Sequence, residues 1–271
     1  MPTPLPTFYL SHGGGPWPWV EGMIDGPYSR LASSLSRMVL DVGGAPKAML
    51  MISAHWEMPV FTVQGHSNPS MIYDYYGFPE HTYHIHYDAP GDPALAKRAV
   101  ALLEAAKIPA AVDDQRGYDH GMYAPLAVAY PDAKLPVVQL SLRRGLDPAA
   151  HVALGRALAP LREEGVLIVG SGLSYHNLRA FGPQGKAPSA AFDAWLHQSL
   201  ALPHKARLAA LLQWEAAPAA RLAHPREEHL LPLMVALGAA EQEAAQAVYH
   251  ETDFMGSLTV SSFRFGEAMA R

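Results

Sequence analysis

The sequence predicts an α/β fold in which helices cover a largely parallel sheet. Three observations carry this expectation. Uninterrupted apolar runs, such as Ala48-Met49-Leu50-Met51-Ile52 and Val166-Leu167-Ile168-Val169, read as strands buried on both faces. Segments with helical periodicity separate them. Several strand-like runs also deliver a histidine at or just past their exit. Phe8-Tyr9-Leu10-Ser11 leads into His12, the central run into Ser53-Ala54-His55, and Val166 to Ser171 into a loop holding His176. Ligands in open α/β sheets lie beyond the carboxyl ends of the strands, so these histidines are placed to converge on one metal.

Taken in order, the first strand is followed by Ser11-His12-Gly13-Gly14-Gly15-Pro16-Trp17. The glycines admit close backbone approach to a ligand, or form a tight turn. A phosphate loop is disfavoured, because no Lys-Ser or Lys-Thr follows. Residues 29–40 have helical periodicity, with Leu31, Leu35, Met38 and Val39 on one side, and Gly43-Gly44 breaks the pattern before the central strand. A strand is expected over 60–64. The stretch 71–86 carries Tyr73, Tyr75, Tyr76, Phe78 and Tyr83, which either wall a flat-ring pocket or simply pack. Its His81, His84 and His86 are expected on a solvated face.

Pro90-Gly91-Asp92-Pro93 starts a helix over 94–106, and a short strand follows at 110–112. Ahead of an apolar helix over 122–130, Asp119 is expected to cap free amides. His120 is either part of that cap or faces substrate. A strand over 137–140, a helix over 149–161 and a strand over 166–171 complete the regular alternation. The alanine-rich part after Ala187 reads as helical, with Trp195 and Trp214 as core or interface anchors. Within it, Arg226-Glu227-Glu228-His229 precedes an apolar helical turn, and closing strands are expected at 248–250 and 257–265.

Composition narrows the chemistry. The 271 residues carry a formal net charge of −5 and no basic block, which argues against nucleic acid and anionic membrane as partners. With no cysteine, disulfides, thiolate metal sites and cysteine catalysis are excluded. A metal must then use imidazole, carboxylate or water, a set suited to iron, zinc or manganese. Fourteen histidines are many for this length, and they are the main functional clue. The start Met1-Pro2-Thr3-Pro4 lacks the features of a signal peptide, and no run approaches a membrane span; a soluble cytoplasmic protein is expected. No repeat, linker or shift in composition divides the chain, so residues 1–271 are expected to form one domain. The oligomeric state, a homo-oligomer included, stays open.

With His12, His55, His120, His176 and His229 in hand, the sequence resembles the class III extradiol aromatic ring-opening dioxygenases, in particular their 4,5-DOPA dioxygenase-like branch. The motifs are Ser11-His12-Gly13-Gly14, Ser53-Ala54-His55-Trp56, Tyr76-Gly77-Phe78-Pro79, and the segments 87–93, 117–121, 170–178 and 228–233. The resemblance implies a single three-layer α/β/α domain with a mixed central sheet. It also implies a mononuclear non-haem Fe(II) site and a catechol substrate cleaved beside its diol by O2 to a muconate semialdehyde. Zn(II) fits the same donors. His12, His55 and His229 match metal ligands, His176 an acid/base histidine that can also lie against a bound metal, and His120 a histidine beside oxygen and substrate. Non-haem Fe(II) oxygenases commonly use two histidines and a carboxylate. Glu228 is therefore the substitute for His229, since helix neighbours point about 100° apart and do not bind together. A catechol binds one ferrous ion through both oxygens, and the metal stabilises the developing negative charge. Imidazole as a class can take a phenolic proton and return it. Two rivals remain: a zinc hydrolase, though no HExxH helix is present, and a Memo-like binding protein without turnover.

Overall fold

A computed structural model describes residues 3–267. In chain order its strands are β1 (Thr7–Ser11), β2 (Ala48–Met58), β3 (Phe61–Gln64), β4 (Ala110–Asp113), β5 (Val137–Arg143), β6 (Val166–Gly172), β7 (Ala245–Phe254) and β8 (Leu258–Phe265). The α-helices are α1 (Ser29–Val42), α2 (Pro93–Ala105), α3 (His120–Ala129), α4 (Pro148–Leu158), α5 (Pro160–Glu163), α6 (Lys186–Leu200), α7 (His204–Leu212), α8 (Ala220–Ala223) and α9 (Leu231–Ala239). All eight strands join one sheet in the order β4-β3-β5-β2-β6-β1-β8-β7.

The four central strands β5, β2, β6 and β1 run parallel, as their continuous apolar runs predict, and are buried almost throughout. The outer pairings make the sheet mixed: β3 is antiparallel to β5, β8 to β1 and β7 to β8. Helices cover both faces, and consecutive residues of β6 show it. A Cβ on Gly170 would meet the Pro232 carbonyl oxygen of α9 at 2.2 Å, while the Ser171 hydroxyl donates to the Gly121 carbonyl of α3 at 2.5 Å. Adjacent strand residues point to opposite faces, so α9 and α3 flank the sheet and the fold has three layers.

Two expectations change in detail. The central strand does not end at His55 but continues to Met58. Its register with β5 jumps from Ile52 opposite Leu140 to Glu57 opposite Leu142, so His55 lies in an irregular bulge. Bulges next to sites re-aim side chains. The helix expected over 149–161 is two helices, because Pro160 supplies no N–H to continue the first. Of the two expected anchors, Trp214 is buried in the core, and Trp195 packs against the core from a partly exposed position.

Because the central strands are parallel, the carboxyl ends of β1 and β6 and the bulge of β2 lie along one edge of the sheet. That edge carries the site.

Candidate metal centre and active site

His12 follows β1 directly. Its backbone N–H donates to the Gly172 carbonyl at the end of β6 (3.0 Å), and its carbonyl accepts from the Trp17 indole N–H (2.9 Å). The glycines after it are needed for this turn: Gly13 has φ +79°, and a Cβ there would lie 2.4 Å from the Trp17 Nε1. His229 stands two residues before α9. Its carbonyl accepts from the Tyr9 hydroxyl of β1 at 2.8 Å and passes so close to Gly172 that a Cβ would meet it at 2.1 Å. His12 is 2% exposed and His229 3% exposed, while His55 borders the cavity.

These three imidazoles form a nearly equilateral triangle. Ring centroids are separated by 4.9 Å (His12–His55), 5.2 Å (His12–His229) and 4.9 Å (His55–His229). The Nε2 atoms of His12 and His55 are 3.3 Å apart. That is about the ligand separation around a tetrahedral metal with bonds of roughly 2.0–2.1 Å. Carboxylates set the ring tautomers. His55 Nδ1 faces Asp74 Oδ2 at 3.4 Å, and His229 Nδ1 faces Glu228 Oε1 at 3.0 Å. Each Nδ1 thus carries the proton, and each Nε2 presents a lone pair; a carboxylate behind the imidazole is how metal-binding histidines are usually held. His229 Nε2 and His12 Nδ1 are buried with no partner among the described residues. Burial, followed by the charges of neighbouring imidazoles, holds all three histidines well below the ordinary imidazole range. Neutral rings that present Nε2 atoms to one point, that of His229 without a partner, suit a divalent cation.

Two further histidines face the same cavity of about 630 Å³. His120 is the first residue of α3, its ring 4.0 Å from that of His55 between centroids. Both its backbone N–H and its Nδ1 engage Asp74 Oδ1, at 3.0 and 2.9 Å. His176 stacks on His229, with centroids 3.3 Å apart and planes 17° apart, and its Nδ1 lies 3.2 Å from Glu228 Oε1. Glu228 therefore engages the Nδ1 atoms of two histidines.

Asp74 is the residue that the sequence reading missed. It sits among the tyrosines of the 71–86 stretch and anchors His55 and His120 together. Burial alone would raise its pKa, but the His120 hydrogen bond and charge and the His55 charge bring it down to about 2. A lone acid within a run of tyrosines was the available signal. The cap expected of Asp119 is also different. Asp119 occupies the N-cap position of α3 without a side-chain cap bond. Its carboxylate instead accepts from the Ser53 hydroxyl (2.8 Å) and from Arg116 (2.9 Å), and Asp74 takes the free N–H of His120. Of the aromatic stretch, Tyr75, Tyr76 and Phe78 line the cavity with Gly13 to Gly15 and Tyr28, whereas the Tyr73 hydroxyl turns to the Ile85 carbonyl. His84 and His86 stand on the surface as expected, each near one carboxylate. Among the described residues, no helix is long and apolar enough to cross a membrane.

Comparison with known proteins identifies the family. Residues 5–266 match the family described as the catalytic LigB subunit of aromatic ring-opening dioxygenase. A 4,5-DOPA dioxygenase extradiol of Beta vulgaris is 39% identical over 96% of this chain and 96% of its own length. A 4,5-DOPA dioxygenase extradiol of Escherichia coli K12 is 34% identical over 97% of this chain and 96% of its own. The crystal structure of an uncharacterized protein from Escherichia coli K12 superposes with a TM-score of 0.78 at 32% identity, covering 97% of this chain and all of that one. The chain belongs to the LigB family of aromatic ring-opening dioxygenases.

Proposed function

We propose that this chain, acting as a single catalytic domain, is a non-haem Fe(II) extradiol dioxygenase for a single-ring catechol with a small side chain, DOPA among the candidates. The observation that carries the reading is the triangle of neutral imidazoles from His12, His55 and His229, two of them backed by carboxylates. These three would hold the metal, and Glu228, engaged with Nδ1 atoms, would orient rather than bind. When bound, Fe(II) supplies the site for both catechol oxygens and for O2 and stabilises negative charge on oxygen; Zn(II) would bind the same donors without redox chemistry.

The protein's own groups then have distinct tasks. Glu228 fixes the Nδ1–H of His176, which leaves its Nε2 free to take a phenolic proton and return it as the ring opens. Asp74 fixes His120 in the same way, so that its Nε2 can accept a hydrogen bond from the substrate. In a zinc-loaded protein His176 is the candidate fourth ligand. Tyr75, Phe78 and Gly13 to Gly15 would clasp the ring. The carbon–carbon bond beside the diol breaks, and both atoms of O2 enter a muconate semialdehyde.

The test is anaerobic reconstitution with Fe(II), followed by a catechol panel read with an oxygen electrode and visible absorbance. Oxygen uptake matched by a yellow product from single-ring catechols, and none from dihydroxybiphenyl, is the expected result. A protein that holds metal and consumes no oxygen with any catechol would be a binding protein instead.

A further inference from the structure

A second histidine cluster lies outside the cavity, and we propose that it is a zinc-class divalent metal site clipping helix α6 to the β7–β8 hairpin. Its donors are Asp193 and His197, one turn apart on α6, His250 of β7, and Ser261 of β8, which is paired directly with His250. Asp193 Oδ2 lies 3.5 Å from His197 Nε2 and 3.3 Å from His250 Nδ1. The Ser261 hydroxyl oxygen lies 2.9 and 3.0 Å from the same two nitrogens. A tetrahedral ion with bonds of roughly 2.0–2.2 Å needs ligand separations of about 3.3 Å, close to all four values. Two imidazoles and one carboxylate are hard-to-borderline donors, the set that zinc accepts.

Burial and charge point the same way. Asp193 is 3% exposed, yet among the described residues the only cationic partners within 4 Å of its carboxylate are these two imidazoles. A buried carboxylate with no arginine or lysine beside it among the described residues is a poorly compensated charge, and a divalent ion would compensate it. The His197 and His250 side chains are 34% and 44% exposed, so an ion can reach the site from solvent. Without metal, the Ser261 hydroxyl donates to Asp193 Oδ1 at 2.7 Å and accepts from both rings. Metal binding requires each ring to move its proton to the other nitrogen.

The clip would be tied to the catalytic edge. The Ser261 N–H donates to the Ser174 hydroxyl at 2.8 Å, and its carbonyl accepts from the Ser11 hydroxyl at 3.2 Å. Ser11 precedes His12, and Ser174 lies two residues before His176.

The experiment titrates the metal-free full-length protein with Zn(II), counting equivalents by calorimetry and by elemental analysis after gel filtration. Co(II) substitution reports tetrahedral geometry by its visible bands. Wild type should bind two equivalents. His250→Gln and His197→Gln should each bind one, with circular dichroism unchanged, and His12→Ala should also bind one, retained at the outer site. One equivalent in wild type that His12→Ala abolishes, or two that persist in both His197→Gln and His250→Gln, would overturn the proposal and leave the cluster a hydrogen-bonded brace.

Discussion

His176 and His229 stack within one shared carboxylate's reach, yet they have different expected losses. His176 borders the cavity and would act on protons, so His176→Gln should lower kcat by roughly 10²–10⁴-fold, the usual worth of general acid/base catalysis. Its iron content should fall much less than in His55→Ala. A His176→Gln enzyme with near-normal kcat would move the proton role to His120 or to water. Asp74 makes a second residue-scale case. Its two oxygens hold His55 and His120 by their Nδ1 atoms. Removing such a carboxylate typically costs 10–100-fold in metal affinity. Asp74→Asn should therefore weaken Fe(II) binding by about that factor, measured by competition with a chelator, with little change in the melting temperature of the metal-free protein. Unchanged affinity would reduce Asp74 to a cavity wall.

At the scale of single elements, what was legible follows from local pattern. β1, β2, β5 and β6 announce themselves because both their faces are buried, and His12 and His55 stand where those apolar runs stop. The bulge that aims His55 left no mark, because a register shift depends on β5, some 80 residues away. Asp74 and His250 were invisible for the same reason: their partners are distant in sequence. Helix α4 offers a test of another unread histidine. His151 donates from Nδ1 to the Asp147 carbonyl (2.7 Å) and accepts at Nε2 from the Arg143 N–H (3.3 Å), so the fold needs it neutral. Burial, aided by Arg143, lowers its pKa to about 4 against the Asp147 hydrogen bond. The unfolded chain protonates near pH 6.5, and the folded chain does not until about pH 4. In that window the unfolded state binds more protons, so stability falls as pH falls, by up to about 3 kcal/mol from this group. At pH 7 and above both states are neutral and the term vanishes. His151→Gln, which can keep both hydrogen bonds, should show a shallower loss of stability between pH 6.5 and 4 in urea titrations. Identical slopes would mean that His151 is not held neutral by the fold.

At the scale of the whole molecule, the site is a closure of the chain upon itself. His12 follows β1, His55 lies two strands away in β2, and His229 stands before α9. The α/β class was readable from sequence, whereas the mixed edges were not, because β3, β4 and β7 are short or half-exposed strands whose pairing partners are set by packing. A metal held by these three histidines would be a stability term for the entire fold. An ion that binds only the folded state adds RT ln(1 + [M]/Kd), about 2.7 kcal/mol at a hundredfold excess over Kd. For a chain of this size each kcal/mol moves the melting temperature by roughly 2–4 °C, so Fe(II) added anaerobically should raise it by roughly 5–10 °C. His250→Gln leaves the triangle intact and should keep that rise. His12→Ala removes one corner and should lose most of it, because the remaining imidazoles no longer join β1 to β2 and α9 through one ion. A rise of equal size in wild type and His12→Ala would place the bound iron somewhere other than the strand-end histidines.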